Sequence, residues 1–229
     1  MNAINKIYNK LYFVSLTFFI AFICLSGCKK NDDTSTDGNA LVPLVDVINA
    51  GQTFGPLDVY FNSNVVYGNL LYGQQTGYIA VSPITYNVAF NVSSTTNTVG
   101  TGSFTFVPGA VYSIYFTDDE SVVSITEDRT RPQTGKARIS FVHLSTLYNT
   151  GPLDVYTTGG SQVAAGLYYK NSSSYVDVDP SITSFSVRAG GTTTNLLNMQ
   201  VSLIANHVYT VYITGAPGRT LDYHLLTRD

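Results

Sequence analysis

The chain has no tryptophan and only two cysteines, Cys24 and Cys28, both near its start. Beyond Cys28 there is no thiol. The body of the protein therefore holds no disulfide, no cysteine nucleophile and no cysteine metal ligand, and its fold rests on its core alone. Charge is scarce too: Asp, Glu, Lys and Arg make up 12% of the residues, and the formal net charge is −3. No basic block follows Lys29-Lys30, which argues against nucleic acid as a partner. After the apolar run from Leu11 to Cys24, no stretch approaches membrane-spanning length. What the chain does have is 17 Tyr, 12 Phe and 19 Gly, with abundant Thr, Ser and Val. That is the composition of β-structure.

The start of the chain is a targeting segment. Lys6 and Lys10 precede the apolar run, and small residues close it, which is the layout of a secretory signal rather than of a spanning helix. The run ends in Leu25-Ser26-Gly27-Cys28. This resembles the lipobox of bacterial lipoproteins. The resemblance implies cleavage before Cys28, acylation of Cys28, and a mature protein held at the cell envelope, in the outer membrane, by more than one fatty chain. The polar stretch Lys29–Asn39 has too little apolar content to fold and reads as a flexible tether. Its first part, Lys29-Lys30-Asn31-Asp32-Asp33, is similar to the export signals of Bacteroidetes surface lipoproteins, which implies display at the cell surface. The other reading is a solvated spacer.

From Leu41 onward the chain repeats itself. Gly55-Pro56-Leu57-Asp58-Val59-Tyr60 returns as Gly151-Pro152-Leu153-Asp154-Val155-Tyr156. Tyr78-Ile79-Ala80-Val81-Ser82-Pro83 returns as Tyr175-Val176-Asp177-Val178-Asp179-Pro180, and Val111-Tyr112-Ser113-Ile114-Tyr115-Phe116-Thr117 returns as Val208-Tyr209-Thr210-Val211-Tyr212-Ile213-Thr214. Ordered matches at nearly constant spacing mark a duplicated domain, because the period far exceeds that of a solenoid repeat. The expected organisation is a signal over 1–27, a tether over 28–40, a first copy over 41–126, a linker over 127–136 and a second copy over 137–229. Each copy reads as roughly seven short strands between turns, with no helix. The fold predicted is all-β, two tandem immunoglobulin-like antiparallel β-sandwich domains. Leu57/Val59 and Leu153/Val155 are expected to face the core. Tyr112, Ile114 and Phe116 are expected to do so with Tyr209, Val211 and Ile213.

The second copy resembles the bacterial family known as domain of unknown function 4397. The resemblance is carried by Arg138-Ile139-Ser140-Phe141-Val142-His143-Leu144-Ser145, Leu153-Asp154-Val155-Tyr156, Val201-Ser202-Leu203 and Tyr209-Thr210-Val211-Tyr212. In the first copy Val47-Ile48-Asn49-Ala50 stands at the Phe-Val-His position, so Asn49 replaces the histidine. Neither copy has the family's Pro-Asp-Ala-Pro stretch. The resemblance implies an extracytoplasmic β-sandwich module and supplies no activity and no catalytic residues.

No residue pattern announces chemistry. His143, His207 and His224 belong to no ligand spacing, and zinc needs three or four ligands. Asp118-Asp119-Glu120 lacks the spacing of a calcium loop. No Gly-x-Ser-x-Gly elbow is present. Asp58 and Asp154 recur, and a carboxylate on the outer face of a strand suits capping of nearby backbone N–H groups. No cofactor and no metal are expected. The candidate contact residues are the outward tyrosines, Tyr60 and Tyr156 at one repeated position and Tyr115 and Tyr212 at another, since Tyr joins apolar area to a polar tip. Plain β-propensity accounts for the same residues. The function expected is a non-catalytic binding, adhesion or scaffolding lipoprotein of the cell envelope. The alternatives are glycan capture beside an uptake system, or a hydrolase whose site has no sequence signature.

Overall fold

The computed structural model describes residues 41–229. The signal, Cys28 and the tether lie outside the described residues. In the first copy, strands β1 (Leu44–Asn49), β2 (Leu57–Phe61), β3 (Asn64–Leu70), β4 (Ile79–Ala80), β5 (Thr85–Val92), β6 (Thr98–Thr105), β7 (Val111–Phe116) and β8 (Val122–Thr126) form two four-stranded sheets. Their orders are β4-β1-β7-β8 and β3-β2-β5-β6. The second copy repeats this with β9 (Ala137–His143), β10 (Leu153–Thr157), β11 (Gln162–Leu167), β12 (Val176–Val178), β13 (Ser184–Ala189), β14 (Asn195–Gln200), β15 (Val208–Thr214) and β16 (Asp222–Thr227). Its sheets run β12-β9-β15-β16 and β11-β10-β13-β14. The fold is all-β, two sandwiches in tandem. Each copy holds eight strands rather than seven, because the short edge strands β4 and β12 are too brief to read from alternation. The pairs β1·β7 and β9·β15 are parallel and the other pairings antiparallel.

The alternation sets the register. Leu57, Val59, Leu153 and Val155 are all fully buried, each between its two sheets. Tyr112, Ile114 and Phe116 enter the first core, and Tyr209, Val211 and Ile213 the second. Val201–Leu203, whose apolar residues alternate as in a strand, lies past the end of β14, where Val201 N still donates to Thr183 O at 2.8 Å. The hairpin turns confirm a common backbone: Gly109 and Asn206 both take positive φ, +75° and +69°. Glycine and asparagine tolerate that region better than other residues.

The two sandwiches pack on each other through the sheets containing β7 and β15. A third apolar cluster fills this seam: Ile48, Ala50, Tyr115 and Val123 from the first copy, and Val142, Leu144, Tyr212 and Leu226 from the second. Residues 127–136 join β8 to β9 and are tied down along their length. Asp128 pairs with Arg138 at 2.6 Å, and Arg129 Nε donates to Arg228 O at 2.6 Å.

Candidate functional site

The four tyrosines singled out from the sequence divide into two groups. Tyr115 and Tyr212, expected on an outward face, are fully buried. Their parity along the strand is as expected, since they point away from their own core. The face they occupy is covered by the other sandwich, and their rings meet across the seam with centroids 5.5 Å apart. They are not available for contact with a ligand. Tyr60 and Tyr156 are half-buried on the outer sheets. The Arg188 guanidinium lies 4.2 Å from the centre of the Tyr156 ring. That geometry stabilises the ring by cation–π attraction and occupies one of its faces.

The seam also holds a buried ionic cluster. Arg228 pairs with Asp46 and, through Nε, with Glu127 at 3.1 Å. Tyr78 donates to Glu127 at 2.6 Å, and Ser113 donates to the other carboxylate oxygen. Glu127 and Arg228 stand at equivalent places: each donates its backbone N–H to the residue that opens the central strand, Val111 or Val208, at 2.8 Å. The duplication thus carries an acid in one copy and its base in the other. Burial is the largest influence on Asp46 and raises its pKa above the usual carboxylate range, against the pull of Arg228. At the far end of the seam the copies clasp each other reciprocally. The Tyr72 hydroxyl lies 2.8 Å from Thr214 Oγ1 and donates to Asp222 at 2.9 Å. Lys170 pairs with Asp119 at 2.8 Å. These contacts tie the two copies together across the seam, in which the buried Tyr212 hydroxyl has no hydrogen-bond partner.

The remaining candidates resolve as structural. His143 is wholly buried, with Nε2 3.2 Å from Tyr148 O and Nδ1 accepting from Ser145 N at 3.2 Å. Asn49 does the same work in the first copy: its Nδ2 donates to Leu70 O at 3.1 Å and its Oδ1 accepts from Gly51 N at 3.1 Å. His207 pairs with Asp229, and His224 stacks on Tyr212 at 4.8 Å. Asp118 accepts from Thr53 N and Oγ1, both at 2.8 Å. Asp58 accepts from Asn69 N and Ser94 N, and Asp154 from Gly166 N and Gly191 N, at 2.8–3.0 Å. The repeated aspartates are loop caps, as their strand position implied. Among the described residues no three His, Cys, Asp or Glu side chains gather as a metal site.

A concave feature lined by polar side chains, in which Ser173 Oγ is already engaged with Phe141 N and Ser174 O, was not legible in the sequence. It is a groove of about 440 Å³ in the second copy, between edge strand β11 and the loop leading to edge strand β12. Gly166, Tyr168, Asn171 and Ser172–Ser174 line it, with no charged side chain. Tyr168 is 60% exposed. Gly166 takes φ +62° with open space where a Cβ would stand, which keeps the floor bare. The groove's volume lies in the range of small-ligand sites, about 300–1,000 Å³. Leu71 occupies the place of Tyr168 in the first copy, so the repeat pattern drew no attention to it.

Comparison with known proteins adds the following. No curated protein matches the chain. Among solved structures, CBMbc (family CBM26) from Eubacterium rectale Amy13K, in complex with maltoheptaose, is similar at 14% identity over 82% of this chain and 97% of that one, with a TM-score of 0.27. A family 41 carbohydrate-binding module from streptococcal virulence factors is similar at 12% identity over 76% and 93%, with a TM-score of 0.25. Likeness this low carries no weight for function. The model of the family described as Domain of unknown function (DUF4397) matches residues 43–156 and again 146–229. With both copies matched, the chain belongs to the DUF4397 family.

Proposed function

We propose that the chain is a non-catalytic binding module anchored at the cell envelope through Cys28, and that the β11–β12 groove takes a neutral glycan. The observation that carries this reading is the make-up of the groove: an exposed tyrosine beside four hydroxyl and amide side chains, with no ionised group. Hydroxyls and amides both donate and accept, which suits a polyhydroxylated ligand. An aromatic ring offers an apolar platform to a sugar face. A phosphate or carboxylate ligand would find no cation there. Farther along the same sheet, beyond β10, Ser184 and Ser186 of β13 pair with Gln200 and Asn198 of β14.

The test is a panel of neutral and charged oligosaccharides, titrated against the full chain and against Tyr168→Ala. The reading expects binding to a neutral glycan, lost or weakened at least tenfold in Tyr168→Ala, about 1.4 kcal/mol, with the unfolding midpoint unchanged. Saturable binding that Tyr168→Ala leaves intact would remove the groove from the account. Turnover of any glycan would overturn the non-catalytic reading. The anchor is tested separately, by the mass of the mature amino terminus, which should show an acylated Cys28.

A further inference from the structure

Four of the six exposed large apolar side chains of the first copy gather at one end. Three segments meet there: residues 41–43, 81–84 and 106–110. Gly109 N donates to Leu41 O at 2.6 Å, Val81 N to Pro43 O at 3.1 Å and Phe106 N to Ile84 O at 3.1 Å. Leu41, Val42, Ile84 and Val107 are 66%, 52%, 50% and 49% exposed, four of the nine most exposed large apolar residues of the described chain. Pro83 and Pro108 are exposed beside them, and none of the three segments carries a charge. A contiguous uncharged apolar end of this kind calls for a partner.

The fold does not require it. At the same end of the second copy the equivalent segments carry Lys136 paired with Asp179 at 3.4 Å, an exposed Ser181 in place of Ile84, and His207 paired with Asp229. One exposed apolar residue persists there, Ile204 at 60% in place of Val107, but it stands among these charged pairs, and the uncharged apolar end belongs to the copy that directly follows the tether. Cys28 precedes Leu41 by 13 residues. At a maximum of about 3.5 Å per residue, a chain of that length reaches no more than about 45 Å, so an acylated Cys28 holds Leu41 close to the bilayer.

We infer that the apolar end formed by Leu41, Val42, Ile84 and Val107 rests in a phospholipid surface, so that the lipid anchor and this end together fix how the double sandwich stands on the membrane. The inference rests on the anchored reading above. Side chains of this type enter the headgroup boundary when a second attachment supplies proximity. The groove beside Tyr168 lies away from this end, since it adjoins the loop after β11 rather than the starts of β1 and β5.

The absence of tryptophan supplies the probe. The chain from Cys28 onward, coupled through the Cys28 thiol to a maleimide lipid in phosphatidylethanolamine/phosphatidylglycerol vesicles, carries a single Val107→Trp reporter. A matched chain carries Leu147→Trp, 40% exposed in the turn after β9 at the opposite end. The expected result is a blue shift and several-fold stronger quenching by brominated lipid for Val107→Trp than for Leu147→Trp, and loss of that difference when Ile84→Asp is added. Equal quenching at the two positions would overturn the inference. Concentration-dependent self-association without vesicles, abolished by Ile84→Asp, would overturn it in favour of a second copy of the chain. Chemical coupling keeps this outcome separate from native acylation: an unmodified Cys28 in cells would defeat the anchored reading and leave the vesicle result standing on its own.

Discussion

His143 shows how an apparently chemical residue is resolved by its neighbours. Its environment is that of Asn49 in the other copy, a buried side chain bridging two backbone groups. Burial pushes its pKa down to about 4. The unfolded chain, with an ordinary histidine near 6.5, therefore binds more protons than the folded one between those values, and folding stability falls as pH drops through that window. The loss is on the order of 3 kcal/mol at the acid end. His143→Asn should fold, because the first copy already uses asparagine there, and should lack this part of the acid sensitivity. Urea unfolding near neutrality and near pH 4 measures both. An unchanged acid slope in His143→Asn would assign the sensitivity to other groups. Asp46 works in the opposite direction: its raised pKa means that its contribution to stability is fully present below its ordinary value and is lost as pH rises through the raised one.

At the scale of the strand, the period of two was enough to place Leu153 and Val155 in the core and the repeated aspartates outside it. Val155→Asp should cost several kcal/mol, because it strands a carboxylate where no partner exists, and chemical denaturation should register the loss. A shift within the error of the wild-type midpoint would contradict the register. The same period gave the direction of Tyr115 and Tyr212 correctly and their surroundings wrongly. Alternation tells which side chains share a face, but not whether that face meets water or another sheet. The clue lay in β7 and β15 themselves. Val-Tyr-Ser-Ile-Tyr-Phe and Val-Tyr-Thr-Val-Tyr-Ile-Thr are apolar or hydroxylic on both faces, as strands covered on both sides are. The groove was illegible for another reason. Its residues are consecutive along the chain, from β11 through the following loop to β12, but no motif or alternation shows that this segment folds around a concavity, and its tyrosine has no counterpart in the first copy.

At the scale of the molecule, the duplication produced one body rather than two beads. The seam joins apolar packing, the Tyr115–Tyr212 contact and a buried guanidinium whose carboxylate partners both belong to the other copy. Breaking such a cluster from one side leaves uncompensated charge and costs about 3–5 kcal/mol, far more than an exposed ion pair. This welding withdraws two of the four candidate tyrosines from contact and leaves the outer sheets, the β11–β12 groove and the apolar end as exposed surfaces. Differential scanning calorimetry of the full chain tests that claim most directly. The account predicts a single cooperative transition with equal calorimetric and van't Hoff enthalpies, moved to lower temperature as a whole by Arg228→Met. Two resolved transitions in the wild type, or an Arg228→Met variant whose unfolding matches it, would show that the sandwiches fold independently and that the seam does not bind them into one unit.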